Sequence, residues 1–253
     1  MREPKKTGFK KLLLFVAGMV TAFTLLSGVT PVKRDNNERI FTADTTIITA
    51  AVDSFSRIYD DLKLDSFQLS KEAYTFAVKG YKNLIVQGAI SKQDILSIVD
   101  FSLPSSQKRL FVLDMHTGKL LFNTYVSHGK NSGIEQATKF SNDLNSFQSS
   151  LGFYITGKSY KGEHGFSLRL EGLEKGINDN AFDRGIVIHS ARYVNEKMAK
   201  KLGYIGRSLG CPAIPVNLHR PIIQKIKGGS CLFMYGPDTS YTARSVMMNG
   251  FRV

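Results

Sequence analysis

The chain has 253 residues, of which 42% are hydrophobic and 22% are charged. These proportions are typical of a globular protein and exclude a disordered one, and the length suits one large domain or one domain with an appendage. The formal net charge of +13 predicts either a solvated basic exterior or attraction to an anionic polymer or membrane surface. No basic run is interleaved with aromatic residues, so we expect no nucleic-acid partner.

The first 30 residues have the pattern of an export segment. Basic residues at positions 2, 5, 6, 10 and 11 precede an almost continuous apolar run over residues 12–29. That run is long for a signal peptide and sufficient for a spanning helix, so residues 1–30 are either a signal peptide or a membrane anchor. Both alternatives predict a periplasmic or otherwise extracytoplasmic protein, and the second adds inner-membrane association through residues 12–29. Residues 31–43 are polar and unpatterned, which is typical of a linker.

Residues 44–98 are predicted to form a helical region. Apolar residues recur with helical spacing between positions 47 and 62. A second helix is expected after Ser70, a good N-cap residue, although Gly80 weakens it. A third short helix is predicted to open at Ser91, with Asp94 as a capping acid. This region either packs on the following domain or covers its substrate.

From Val99 onward the pattern changes to short apolar segments separated by turns. A hairpin is predicted around the turn at residues 114–119, and further strands are expected near residues 152–156, 166–170, 186–189 and 231–235. Residues 192–204 are expected to be a helical or loop insertion. Strands at this density predict a sandwich or barrel over residues 99–253, and the whole chain is α+β.

One pair of residues has the pattern of a reactive site. The β-branched run before His189 predicts a buried strand that ends at this histidine, and Cys211 follows 22 residues later. Gly210 permits close approach of the backbone, and Pro212 fixes the chain after the cysteine. A thiol becomes a nucleophile when a neighbouring imidazole takes its proton. Backbone N–H groups of Gly210 and Cys211 are candidate donors to an oxyanion.

This arrangement resembles the L,D-transpeptidase (YkuD-like) superfamily, and within it the murein L,D-transpeptidase catalytic domain branch. The motif of that superfamily is a histidine followed about twenty residues later by Ser/Thr-His-Gly-Cys, which here is His189 and then Ser208-Leu209-Gly210-Cys211. Leu209 departs from the pattern because it replaces the second histidine. The resemblance extends from about Ile58 to Tyr235, and it includes residues 109–114, 127–133, 140–142, 149–154 and 186–189.

The resemblance implies a mainly β catalytic domain with an N-terminal helical region, and with the cysteine and histidine at one end of the β structure. It also implies an exported cysteine acyltransferase of cell wall biogenesis. Its substrates would be peptidoglycan stem tetrapeptides, which react through a Cys211 thioester with His189 as the base. Two alternatives stay open: a thiol L,D-carboxypeptidase in which water is the acceptor, and a non-catalytic wall-binding protein on the same scaffold. The oligomeric state is not indicated.

Further site residues are predicted around this pair. Ser208 either hydrogen-bonds within its loop or orients His189. Arg207 either pairs with a substrate carboxylate or is a plain surface arginine. The resemblance places the loop of His128 near the substrate groove, where His128 either contacts the substrate or hydrogen-bonds the loop backbone. Ser190 is also assigned to substrate binding. His164 lies in a loop and faces either the substrate or nothing.

Both cysteines of an exported protein can pair, so a Cys211–Cys231 disulfide is the alternative to a reactive thiol. We favour a free Cys231, because residues 231–235 are predicted to be a buried strand in which a thiol behaves as a small hydrophobic group. No spacing typical of zinc ligands is present, and phosphate loops and dinucleotide fingerprints are absent from the sequence. We therefore expect neither a metal nor a cofactor.

Overall fold

The computed structural model describes residue 55 and residues 57–249. The predicted signal or anchor at 1–30, the linker at 31–43 and most of the first predicted helix lie outside these residues. Residues 57–61 are helical. The helices and strands that follow are, in chain order, α1 (Lys71–Val86), β1 (Ile95–Asp100), β2 (Leu110–Asp114), β3 (Lys119–Thr124), β4 (Gly152–Gly162), β5 (Gly165–Gly172), a 3-10 turn (Asp179–Ala181), β6 (Val187–Ser190), α2 (Glu196–Leu202), β7 (Ala213–Ile214), α3 (His219–Ile226), β8 (Cys231–Tyr235), α4 (Thr239–Arg244) and α5 (Val246–Asn249).

The eight strands form one sheet in the order β3-β2-β1-β8-β4-β5-β6-β7. Neighbouring strands are antiparallel except for two parallel pairs, β1 with β8 and β6 with β7. The sheet is nearly closed and barrel-like, which confirms the predicted mainly β fold. The neighbouring strands β1 and β8 lie inside the sheet, and every residue in them is buried. The site strands β6 and β7 lie at one end of the strand order.

Helix α1 follows its predicted N-cap. The Ser70 side chain accepts a hydrogen bond from the backbone N–H of Ala73, as the sequence indicated. The helix packs on the sheet through Gly80, where an added Cβ would lie 2.0 Å from the ring of Phe153. The glycine that weakens the helix in isolation therefore permits the close approach of α1 to β4.

The third helix, predicted to open at Ser91, is absent. Instead, residues 95–100 form β1, so this strand crosses the predicted boundary at residue 98 between the helical region and the catalytic domain. The Ser91 hydroxyl donates to the carbonyl of Gly228 rather than capping a helix. Pairing of a β-branched segment with β2 and β8 overrides the capping signal. The division of the chain into domains stays a prediction.

The remaining elements agree with the pattern. The β2–β3 hairpin forms around the predicted turn. The insertion predicted at residues 192–204 contains α2, which begins after the Asn195 cap and ends at Gly203 in the left-handed conformation. Within residues 57–249, no helix is both long enough and apolar enough to cross a membrane.

Candidate functional site

Strand pairing brings His189 and the cysteine segment together. His189 is the third residue of β6, after the buried Val187 and Ile188, and it pairs with Ala213 of β7. Cys211 stands two residues before Ala213, so the parallel pairing carries it to Val187, at the start of the strand that bears the histidine. The two residues line one open cavity of about 410 Å³.

The ring of His189 is held in one tautomer. Its Nδ1 lies 3.0 Å from the carbonyl oxygen of Ser190, and a carbonyl only accepts hydrogen bonds, so Nδ1 carries the proton. The other nitrogen, Nε2, is then an unprotonated acceptor. Burial lowers the pKa of His189 from its ordinary value, the hydrogen bond to Ser190 opposes this effect, and the charge of His164 lowers the pKa further.

Cys211 and Cys231 are both free thiols in this structure, and Cys231 is wholly buried in β8. The Cys211 thiol donates to the carbonyl of Gly185 at 3.6 Å. Burial raises the pKa of Cys211, whereas a hydrogen bond from the backbone N–H of Val187 and the charge of Arg184 act in the opposite direction. Among the described residues, the hydrogen-bond acceptor of the thiol is thus a carbonyl and not the imidazole.

The turn before Cys211 is closed by Ser208. The Ser208 hydroxyl donates to the carbonyl of Cys211 at 2.6 Å and accepts from the backbone N–H of Gly210 at 3.1 Å. Of the two possibilities left by the sequence, Ser208 therefore bonds within its loop. The Gly210 N–H, predicted to face an oxyanion, is engaged by this hydroxyl. The N–H of Cys211 has no hydrogen-bond partner within the described chain, so it is the better candidate donor.

At Gly210 the backbone closely approaches neighbouring atoms, as the sequence predicts. Its φ is +125°, which side-chain-bearing residues rarely adopt. An added Cβ would lie 2.9 Å from the Gln148 carbonyl and 3.3 Å from the guanidinium of Arg184. The glycine carbonyl also accepts from the Ser149 hydroxyl at 3.3 Å. The cysteine turn is therefore packed directly on the loop that precedes β4.

His128 lies in the adjacent loop and, of the two alternatives, hydrogen-bonds the loop backbone; a substrate contact stays a prediction. The side chain is wholly buried and does not line the cavity of Cys211. Its Nδ1 lies 2.7 Å from Nη2 of Arg109, and its Nε2 lies 3.2 Å from the carbonyl of Gly133. Because a guanidinium only donates, Nδ1 accepts and Nε2 carries the proton. Both ring nitrogens are thus used to fix the loop.

This loop supports the cysteine turn through its backbone. The His128 carbonyl accepts from the N–H of Ser208 at 2.9 Å, and the Ser208 carbonyl accepts from the N–H of Lys130 at 2.8 Å. Burial and the Arg109 charge together lower the pKa of His128 to about 4. A neutral, fully bonded imidazole is therefore the anchor of the loop that carries the turn.

The two residues assigned to substrate binding beside this turn both reach the cavity. Arg207 is exposed, and its Nη1 donates to the carbonyls of Lys130 and Gly133, both at 3.2 Å. Ser190 lines the cavity and supplies the carbonyl that orients His189. Leu209 also lines it, with 60% of its surface exposed. Substrate contacts by Arg207 and Ser190 stay predictions.

Arg184 was not singled out from the sequence. Its charge acts on the Cys211 thiol, and it stands directly before the glycine whose carbonyl accepts from that thiol. A lone arginine before a strand gives no signal of this role, because its partners come from a distant loop. The guanidinium donates to the carbonyl of Ser141 (2.7 Å), the hydroxyl of Ser150 (2.5 Å), the carbonyl of Gln148 (2.5 Å) and the hydroxyl of Ser146 (3.2 Å).

His164, whose orientation the sequence left open, faces the site. Its ring stacks on that of His189 with 4.5 Å between centroids and 26° between planes. The other two histidines are elsewhere: His116 is exposed in the β2–β3 turn, and Nδ1 of His219 contacts the carbonyl of Val216. Within residues 57–249, no group of three or more His, Cys, Asp or Glu side chains is arranged to hold a metal ion.

A strand-borne histidine beside a cysteine turn, on a nearly closed β sheet, is the arrangement that the resemblance to the L,D-transpeptidases implies. Residues 65–235 match the L,D-transpeptidase catalytic domain family. That match covers more than half of the chain, and the protein belongs to this family. No curated protein matches the sequence.

The solved structures to which the chain is similar include several L,D-transpeptidases. An L,D-transpeptidase from Mycobacterium smegmatis is 15% identical with a TM-score of 0.36, and the match covers 56% of this chain and 59% of that one. The helical cell shape determining protein from Campylobacter jejuni is 13% identical with a TM-score of 0.36, covering 57% and 48%. An L,D-transpeptidase from Stackebrandtia nassauensis is 12% identical with a TM-score of 0.35, covering 66% and 68%. The chain thus spans about three fifths of the length of the first of these proteins.

Proposed function

We propose that this protein is an exported L,D-transpeptidase that acts on peptidoglycan stem tetrapeptides through a thioester on Cys211, with His189 as the base. The observation that carries the proposal is the tautomer of His189. The Ser190 carbonyl holds the proton on Nδ1, so Nε2 is a free base in the cavity that also contains the Cys211 thiol. Membership of the L,D-transpeptidase catalytic domain family supplies the reaction class and the substrate class.

The first half-reaction forms the thioester. The thiol exchanges its Gly185 acceptor for Nε2 of His189, which takes the proton. The thiolate attacks the carbonyl carbon of the third residue of the stem, and the N–H of Cys211 donates to the oxygen that becomes negative. The bond to the terminal D-alanine nitrogen then breaks, and the imidazolium of His189 returns the proton to that leaving amine.

The second half-reaction consumes the thioester. An amine of a second stem peptide attacks the carbonyl carbon and transfers its proton to His189. The sulfur leaves as a thiolate and regains the proton from the imidazolium, which restores the resting thiol. Arg184 supports both steps, because its positive charge favours the thiolate against the raised pKa that burial imposes. When water replaces the amine, the same residues perform L,D-carboxypeptidase chemistry.

The proposed location follows from the N-terminal pattern and from the family. Residues 12–29 are the expected signal or anchor, and the substrate lies outside the cytoplasm. The net charge of +13 favours contact with an anionic wall or membrane surface. The free thiol of Cys211 weighs against a wall-binding scaffold without activity, since a Cys211–Cys231 disulfide would have favoured that alternative.

The test uses the full chain in mild detergent with purified disaccharide-tetrapeptides, followed by mass spectrometry. We expect loss of D-alanine, an acyl adduct on Cys211 and cross-linked dimers. Cys211→Ala and His189→Gln are expected to abolish all three, and Cys231→Ala is the matched control that retains them. Tripeptide without dimers would identify a carboxypeptidase. A folded, reduced protein that yields neither product would refute the proposal.

A further inference from the structure

The β4–β5 hairpin places a second imidazole in the site. Gly162 pairs with Gly165, so Glu163 and His164 are the two residues of the turn. Gly165 has a φ of +79°, which suits such a tight connection. A two-residue turn on a paired ladder fixes the direction of the tip. His164 is therefore delivered to the cavity by a defined element and not by a long loop.

The contact between the two histidines is ring on ring. Their centroids are 4.5 Å apart with planes inclined by 26°, and both rings line the cavity of Cys211. No hydrogen bond joins the His164 ring to another residue of the described chain, so the stack is its contact with the site. His189 is thus held at its edge by the Ser190 carbonyl and on its face by His164.

We propose that His164 is a positioning residue that holds the imidazole of His189 in the orientation and neutral form that the acyl transfer requires. This inference rests on the proposed function. A hydrogen bond at one edge leaves a ring free to tilt about that bond, and packing against the face removes this freedom.

The second effect of the stack is electrostatic. Two imidazolium rings at this separation repel each other, so a positive charge on His164 disfavours protonation of His189. The other charged or titratable side chains that line the cavity are Arg192, Tyr193, Arg207 and Cys211. The two arginines act in the same direction as His164, and they are unchanged in the variants below.

Two substitutions separate stacking from charge. His164→Phe keeps an aromatic face without a titratable group, and His164→Ala removes both. His116→Ala is the matched control, because His116 is also an exposed histidine in a hairpin turn. The tautomer and pKa of His189 are measured by nitrogen-15 NMR of the labelled chain. We expect the pKa of His189 to rise in both His164 variants and the Nδ1–H tautomer to lose population only in His164→Ala.

The second readout is kinetic, with the disaccharide-tetrapeptide as substrate. We expect kcat to fall roughly three- to tenfold in His164→Ala with little change in KM, and to stay within about twofold in His164→Phe. The acid limb of the pH profile should move to higher pH in both. Unchanged His189 signals in both variants would overturn the role of His164, even in an active enzyme. Inactivity of the unmodified protein would refute the proposed function. The NMR measurement of His189 would still test whether His164 positions that ring.

Discussion

Replacement of His128 by glutamine tests whether this histidine is a buried, neutral anchor. Nδ1 accepts from Arg109 and Nε2 donates to Gly133, and a glutamine amide carries one acceptor and two donors that can serve the same partners. Glutamine does not titrate. The variant therefore retains the hydrogen-bonding capacity of His128 and removes only its response to acid.

The magnitude follows from the pKa of the buried ring. Burial and the Arg109 charge lower the pKa of His128 from 6.5 to about 4, so the folded protein binds this proton less readily than the unfolded chain. The stability that His128 contributes is complete above pH 6.5 and is lost as the pH falls from 6.5 through 4. At about 1.4 kcal/mol for each pH unit, the loss at pH 4.5 is about 2.5 kcal/mol.

The assay is urea unfolding of the wild-type chain and His128→Gln at pH 7.5 and pH 4.5. Glutamine packs less well than imidazole, so we expect the variant to be less stable by about 1–2 kcal/mol at pH 7.5. At pH 4.5 this difference should vanish or reverse, because only the wild type loses the stability that His128 contributes. The contributions of all other titrating groups are the same in both proteins and cancel. His116→Gln, at an exposed position, should show no such change. An identical difference between wild type and His128→Gln at both pH values would refute the neutral-anchor assignment.

Three further predictions concern the cysteine turn and the two thiols. Arg184→Met should slow alkylation of Cys211 by iodoacetamide at pH 7.5 roughly tenfold, because the nearby cation is lost, whereas Arg184→Lys should slow it less; equal rates would exclude the electrostatic role. Gly210→Ala should lower the free energy of unfolding by about 2–4 kcal/mol in thermal unfolding. The new methyl group would lie 2.9 Å from a carbonyl oxygen, and residue 210 has a φ of +125°. Gly203→Ala, with a φ of +76° and open space, should cost only about 1 kcal/mol, and equal losses would contradict the steric argument. Cys231→Ala should cost about 1 kcal/mol and leave the alkylation rate unchanged; a slower rate in a folded variant would link the two thiols.

The fold was predictable where the local pattern and the tertiary environment agree. Ser70 caps α1, the β2–β3 hairpin surrounds its predicted turn, and residues 231–235 form a buried strand. At Ser91 the two disagree. A serine followed by an acid three residues later favours a helix start, but the next residues form an interior strand of the sheet. Only the pairing partners β2 and β8, which are remote in sequence, reveal that requirement.

The site was predictable where residues that are neighbours in the sequence indicate its chemistry. The strand before His189 and the glycine before Cys211 are both local signals, and strand pairing brings them to one cavity. Burial of His128 is not a local signal. The sequence shows a histidine in a polar loop, whereas the structure buries it against Arg109, which lies 19 residues earlier. Residue type alone does not indicate whether an imidazole meets a substrate or a guanidinium.

The sequence left the orientation of His164 open and gave no signal for Arg184, and both have the same physical reason. Each reaches the site through an element whose direction depends on long-range pairing: the β4–β5 ladder for His164, and the loop of residues 141–150 for Arg184. Neither lies within the motif that carries His189 or Cys211. In the proposed mechanism the motif supplies the two reacting atoms. The side chains proposed to set their charge and orientation come from segments that the sheet brings together. Variants outside the motif are therefore the sharper test of whether the site is assembled for catalysis.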